Sequence, residues 1–183
     1  AFIFDFDGVV VDTEKYHYLS WVAAASHVGY DLSWEEYLPL KSTGNTEITQ
    51  YLPDHSGKDV SEELFQVMRN TKLTEFDRLV ADLSEKDVLP GIRNFLTWLN
   101  EQGVKTAVAS SSNTSSGLAK RFGLDKHFQA IIDGNMKLPR KPAPDTFLLA
   151  AKMLGVDPAD CIVFEDSLAG IGAAVNAGMP VVA

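Results

Sequence analysis

Five short apolar runs constrain this chain more than any other feature: AFIFDFD (1–7), KTAVASS (105–111), QAIIDG (129–134), CIVFED (161–166) and PVVA (180–183). Most are continuous rather than alternating. A strand that wets one face alternates apolar and polar residues, whereas a strand covered on both faces does not. Helical patterns fill the gaps between them. GIRNFLTWLNEQ (91–102) places Ile92, Phe95, Leu96, Trp98 and Leu99 on one side, and DTFLLAAKML (145–154) begins after Pro144 and stops at Gly155. Strand, helix, strand in succession predicts an α/β fold with a parallel, doubly wound, Rossmann-like sheet.

Residues 14–86 break that rhythm, because they carry helical patterns and no convincing strand. SWEE (33–36) has the spacing of a capping box, and the stretch 61–83 reads as one long helix starting at Ser61. The block is expected to be an all-helical insert of roughly 70 residues, enough for a small separate domain. The predicted organisation is a discontinuous core, 1–13 and 87–183, with a helical domain at 14–86.

Composition narrows the classes of partner. The 183 residues carry a formal net charge of −9, which opposes general binding to nucleic acid or anionic membrane. The single cysteine, Cys161, lies in an apolar run, so no disulfide framework is expected and a reducing, cytoplasmic setting is compatible. No run is long enough to cross a bilayer, and no signal peptide is visible. The chain opens on a strand without Met and closes at MPVVA, so the natural ends are expected to lie further out. A monomer acting on a small metabolite is the expectation.

The first strand ends in two carboxylates, Asp5 and Asp7, followed by Gly8. In a doubly wound sheet, ligands bind outside the carboxyl ends of the strands, and two-residue spacing turns both side chains to one side. Two ionised carboxylates so close need a proton or a cation between them, and Mg²⁺ suits oxygen ligands. Gly8 lets the backbone turn and approach a ligand. Later strands add SSSN (110–113), RKPAPD (140–145) and EDS (165–167) at the same edge. Each alone fits a bland turn or helix cap: Ser110 to Asn113 ahead of a helix near Thr114, Lys141 as a solvated lysine, Asp166 or Ser167 as a cap. Together they place a hydroxyl, an ammonium and two more carboxylates at one site.

That set can perform phosphoryl transfer. Asp5 is the candidate nucleophile, taking the phosphoryl group as an aspartyl phosphate. Asp5 and Asp166 can hold a cation, with Glu165 reaching it through water. Lys141 neutralises remaining charge, and Ser110 with the backbone amides around Ser111, Ser112 and Asn113 donates to the phosphoryl oxygens. Asp7 is left as general acid and base.

DFDGVVVDT, Ser110, Lys141 in KPAPD, and EDS resemble the four motifs of the haloacid dehalogenase superfamily, in order and across the whole chain. The nearer likeness is to its β-phosphoglucomutase-like branch of sugar-phosphate phosphatases and phosphomutases. The resemblance implies an aspartyl-phosphate mechanism, Mg²⁺ held by Asp5, Asp166 and the backbone carbonyl of Asp7, and a mobile helical cap.

Within that cap, His17 and Trp21 fall four apart and match positions that lie near the catalytic aspartates in the mutases; a satisfied core pair is the other reading. Lys41 matches a cap lysine, and Arg69 with Asn70 resembles a substrate-facing Lys-Asn pair. Asn45 stands where the mutases carry an arginine that grips the distal phosphate. The expected activity is therefore hydrolysis of a small sugar phosphate, with a β-phosphoglucomutase-type reaction as the alternative. A dehalogenase needs neither cation nor Asp7, and a phospho-receiver module needs no helical insert.

Overall fold

The computed structural model describes residues 1–41, 43 and 45–183, and it divides into two compact units, Ala1–Asp12 with Ser84–Ala183, and Thr13–Leu83. The first unit holds a five-stranded parallel sheet made of β1 (Phe2–Phe4), β2 (Thr106–Ala109), β3 (Ala130–Ile132), β4 (Ile162–Phe164) and β5 (Val181–Val182). Its order is β3-β2-β1-β4-β5, with Phe4 level with Val108 on one side and Phe164 on the other. All five strands lie inside the continuous apolar runs, as burial on both faces requires.

The two faces are filled differently. Residues of β1 alternate across the sheet. Ile3 joins Ala107, Ala109, Val163 and Phe147 in a core of mostly small and branched side chains. Phe4 stacks on Phe164 with ring centroids 4.8 Å apart and meets Phe95 edge-on at 6.1 Å, so the other face is aromatic.

The sheet's order reverses between β1 and β4: the chain runs from β1 outward to β2 and β3, then returns to the far side of β1. That reversal opens a crevice at the carboxyl ends of β1 and β4, where open α/β sheets bind ligands. Asp5, Asp7, Glu165 and Asp166 follow those two strands.

The flanking helices stop where their end residues dictate. Helices of the second unit come first in the chain, α1 (Glu14–Ala25), α2 (Trp34–Leu40), α3 (Asn45–Ser56) and α4 (Glu62–Val80); the sheet unit carries α5 (Ile92–Glu101), α6 (Ser115–Arg121), α7 (Asp145–Leu154) and α8 (Leu168–Asn176). Pro144 precedes α7, and Gly155 ends it with φ 63°, a left-handed conformation that glycine adopts without steric cost. Ser167 caps α8 by accepting the Gly170 N–H at 3.0 Å.

The helical unit packs α1 against α4 around Trp21, Ala24, Leu32, Tyr37, Ile48, Leu52 and Met68. Ser33 and Glu36 form a full capping box at the start of α2, and Ser61 caps α4. Among the described residues, no helix is long and apolar enough to cross a membrane.

Candidate active site

Asp5 is the first residue beyond β1, and its N–H donates to the Phe164 carbonyl at 2.9 Å, so it still follows the sheet and its side chain is only 10% exposed. Lys141 donates to Asp5 Oδ1 at 2.6 Å and to Glu165 Oε1 at 2.7 Å, and its own side chain is 7% exposed. The ammonium also lies 4.6 Å from the centre of the Phe147 ring. One cation therefore serves two buried carboxylates.

The consequences for ionisation follow from that sharing. Burial, reinforced by repulsion from Glu165 and Asp7, pushes the Asp5 carboxyl from 3.8 up to about 7, against the pull of Lys141. Burial acts to lower the Lys141 ammonium, but attraction to Asp5 and Glu165 outweighs it and holds the group above its usual range. Lys141 gains from two carboxylates at once, whereas Asp5 shares its one cation and faces two like charges.

Glu165 is committed to structure. Its other oxygen accepts the Ser167 N–H at 2.6 Å and the Ser167 hydroxyl at 2.9 Å. A Cβ added to Gly170 would overlap the Glu165 carboxylate, so the first turn of α8 closes directly over it. One oxygen thus serves Lys141 and the other the start of α8.

Gly8 turns the chain after Asp7 with φ 83°, and a Cβ there would come within 2.6 Å of Asp166 Oδ2. The absence of a side chain at residue 8 is what lets the Asp166 carboxylate lie against the loop that carries Asp5 and Asp7. The carboxylates that could hold a cation at this cradle are Asp166, beside Gly8, and Asp5, two residues before the turn. Among the described residues, no three acidic, histidine or cysteine side chains form a closed cage. A cation here would complete its shell with water, as Mg²⁺ does at sites offering one or two carboxylates.

Ser110, 2% exposed, follows β2. Its Oγ accepts the Ser112 N–H at 3.0 Å and the Ser115 hydroxyl at 2.7 Å, and lies 3.4 Å from Asp7 Oδ2. Ser111 and Asn113 are exposed on the same loop, and Ser112 accepts the Thr114 N–H. The fully buried Ser115 fixes the Ser110 hydroxyl from behind, a role that SSSNTSS does not reveal because nothing in it distinguishes one serine from the next.

The helical unit has its own polar cluster. His17 stacks on Phe76 with centroids 4.1 Å apart, and its Nδ1 lies 3.3 Å from Lys72 Nζ. Lys72 is 4% exposed and sits 4.6 Å from the Phe76 ring centre and 5.7 Å from that of Trp21, which is itself 2% exposed. Burial and the neighbouring ammonium hold the His17 imidazole well below its ordinary 6.5, so it is neutral at neutral pH. His17 and Trp21 are thus both a packed pair and part of a polar site.

Lys41 pairs with Glu14 at 3.0 Å. Arg69 and Asn70 are exposed, one and two positions beyond Met68 in the buried row Met68, Lys72, Phe76 and Val80 on α4. Lys72 is the basic residue that α4 turns inward, and four-residue spacing from Met68 and Phe76 is the signal for it. Asn45 opens α3, where its carbonyl accepts the Thr49 hydroxyl.

Comparison with known proteins agrees with the motif order. A family model for haloacid dehalogenase-like hydrolases matches residues 1–178. The chain is 35% identical to the β-phosphoglucomutase of Bacillus subtilis over 98% of its own length and 80% of that protein. It is 31% identical to the fructose-1-phosphate phosphatase YqaB of Escherichia coli, over 98% of its length and 93% of that protein. The crystal structure of β-phosphoglucomutase from Clostridium difficile superposes with a TM-score of 0.85 at 33% identity, covering 99% of this chain and 82% of that one. With the motifs at one sheet edge and relatives matched from end to end, this chain belongs to the haloacid dehalogenase-like hydrolases.

Proposed function

We propose that the chain hydrolyses a small sugar phosphate through an aspartyl phosphate on Asp5. The observation that carries this reading is the constellation at the sheet's switch point: Asp5 bonded to Lys141, Lys141 anchored by Glu165, and Ser110 fixed beside Asp7. An oxygen of ionised Asp5 attacks phosphorus, and the bond to the sugar oxygen breaks. Asp7 delivers a proton to that leaving oxygen. Asp7 then takes a proton from water as it attacks the aspartyl phosphate, the bond between phosphorus and the Asp5 oxygen breaks, and inorganic phosphate departs.

Lys141, the Ser110 hydroxyl and the loop amides stabilise charge on the phosphoryl oxygens where it develops. Mg²⁺ held by Asp5, Asp166 and the Asp7 carbonyl would keep Asp5 ionised and offset its repulsion of the phosphate. Ser115 and Glu165 position Ser110 and Lys141 without touching substrate.

Hydrolysis is favoured over mutase chemistry by the cations of the helical unit. A mutase must grip a second phosphate while its intermediate turns round, and arginine does so with a bidentate charged fork that Asn45 lacks. Lys41, which could substitute, is paired with Glu14. The mutase alternative rests on the similarity to β-phosphoglucomutases.

Supplying β-glucose 1-phosphate, glucose 1,6-bisphosphate and Mg²⁺ separates the two, alongside a panel of hexose and pentose phosphates. We expect inorganic phosphate to form faster than glucose 6-phosphate, and Asn45→Arg to move the ratio towards glucose 6-phosphate. Formation of glucose 6-phosphate with little phosphate release would replace this reading with the mutase.

A further inference from the structure

We infer that the loop following β3 carries a second anion subsite, formed by Lys137 and Arg140, which selects substrates bearing another acidic group besides the transferred phosphoryl. The inference rests on the reading of Ser110 and its loop as the phosphoryl grip.

A cavity of about 420 Å³ lies within the sheet unit, its lining shared by Ser110, Ser111 and Asn113 on one side and Lys137 and Arg140 on the other. That volume falls in the range of small-molecule sites, roughly 300–1,000 Å³. The cavity therefore joins the loop after β2 to two cations that no catalytic step above uses.

The two loops are built as one piece. Gly134 donates its N–H to the Ser112 carbonyl at 3.0 Å, and Asn135 Nδ2 donates to the Asn113 carbonyl at 2.9 Å. A Cβ on Gly134 would overlap Asn113 Oδ1 and the Ser111 carbonyl, so the backbones touch where only glycine fits. Asp133, the one acid on the cavity wall, is committed: Oδ1 accepts the Asn135 N–H at 3.0 Å and Oδ2 accepts the Ser116 hydroxyl at 2.5 Å. Its oxygens thus tie the loop pair together, and among the described residues neither forms an ion pair with Lys137 or Arg140.

Lys137 and Arg140 are left as the basic groups of the wall. Both are exposed, and among the described residues neither side chain forms an ion pair or hydrogen bond. Lys137 has φ 53°, and among the described residues it is the only one other than glycine with a positive φ. A strained left-handed backbone normally selects glycine or asparagine, and such strain concentrates at functional sites. A lysine kept in that conformation, on a wall with an arginine three residues on, is suited to a phosphate or carboxylate.

Calorimetric titration of Asp5→Asn protein with glucose 1-phosphate and with glucose 1,6-bisphosphate, both in Mg²⁺, tests this without turnover. We expect the bisphosphate to bind at least about tenfold more tightly, the worth of a charge-assisted contact. Adding Lys137→Asn, which tolerates the left-handed backbone, and Arg140→Gln should collapse that preference; Arg140→Gln alone, away from the strained residue, should reduce it. A preference absent at the outset, or undiminished in the variants, overturns the inference. Phosphate release by wild-type protein without such a preference overturns the subsite alone, whereas no release and no binding of either sugar phosphate overturns the phosphatase reading with it.

Discussion

Lys141 in the sheet unit and Lys72 in the helical unit are both withdrawn from water, with side-chain exposure of 7% for the first and residue exposure of 4% for the second. Their neighbours include different groups. Lys141 is held by the carboxylates of Asp5 and Glu165, whereas Lys72 is held against a neutral imidazole and two aromatic faces. Where carboxylates surround the ammonium, its proton is bound more firmly and the acid beside it is pushed up. Beside His17, the Lys72 ammonium pushes the histidine down. The first arrangement raises the acid proposed as the nucleophile; the second keeps a histidine neutral beside a positive charge.

The largest expected effect breaks the first arrangement at the nucleophile. Asp5→Asn should lower kcat by roughly 10⁴-fold or more while the protein stays folded, because the amide keeps the shape but cannot attack phosphorus. Steady-state phosphate release with a circular dichroism check measures it. The linkage also has a definite sign. An acid raised from 3.8 to about 7 contributes stability that is present below pH 4 and lost as pH climbs to about 7. The variant lacks that loss, so its Tm relative to wild type should be higher at pH 8 than at pH 4.

Lys141→Met should come next. It leaves Asp5 and Glu165 buried without their cation and should cost about 3–5 kcal/mol at pH 8, read by urea denaturation. Losing the lysine removes the attraction that opposes the rise of the Asp5 carboxyl, so the deficit should shrink as pH falls towards 4. Lys72→Met, the matching change in the helical unit, removes the ammonium beside His17 and the Phe76 ring, and the same denaturation reads its cost.

How much of this is legible in the sequence follows the same divide. The strands stand out as continuous apolar runs, and Lys141, which alone fits a solvated lysine, gains weight from the hydroxyl and carboxylates expected at the same sheet edge. The limits of α7 are marked by Pro144 and Gly155, and the start of α2 by a capping box. Lys72 is hidden because a lysine inside a charged helix ordinarily lies on the solvated side. Only the four-residue row through Met68 and Phe76 marks it as inward, and the neighbouring Arg69 is the more conspicuous cation. Glu165 is ambiguous for a related reason: spacing places a carboxylate at the site but does not say whether cation, lysine or helix cap will use its oxygens. Ser115 and the Lys137–Arg140 wall depend on loops meeting in space, which no local pattern records.

The smallest effect sharpens the comparison from the histidine's side. His17 is depressed below 6.5 by burial first and by Lys72 second, so Lys72→Met should raise its pKa in an NMR titration yet leave it below the ordinary value. A depressed histidine contributes stability above pH 6.5 that is lost as pH falls below it, and the variant should show less of that acid sensitivity.

The chemistry proposed for the site turns on a covalent bond between phosphorus and Asp5. Protein acid-quenched within its first turnover of a sugar phosphate that it hydrolyses, in Mg²⁺, can be reduced with borohydride, which converts an aspartyl phosphate into homoserine, and then mapped by peptide mass spectrometry. Homoserine at position 5, absent from protein quenched without substrate, is the predicted result. Phosphate release with an unmodified Asp5 peptide at every quench time, or with the label on Asp7 or Asp166, would contradict it.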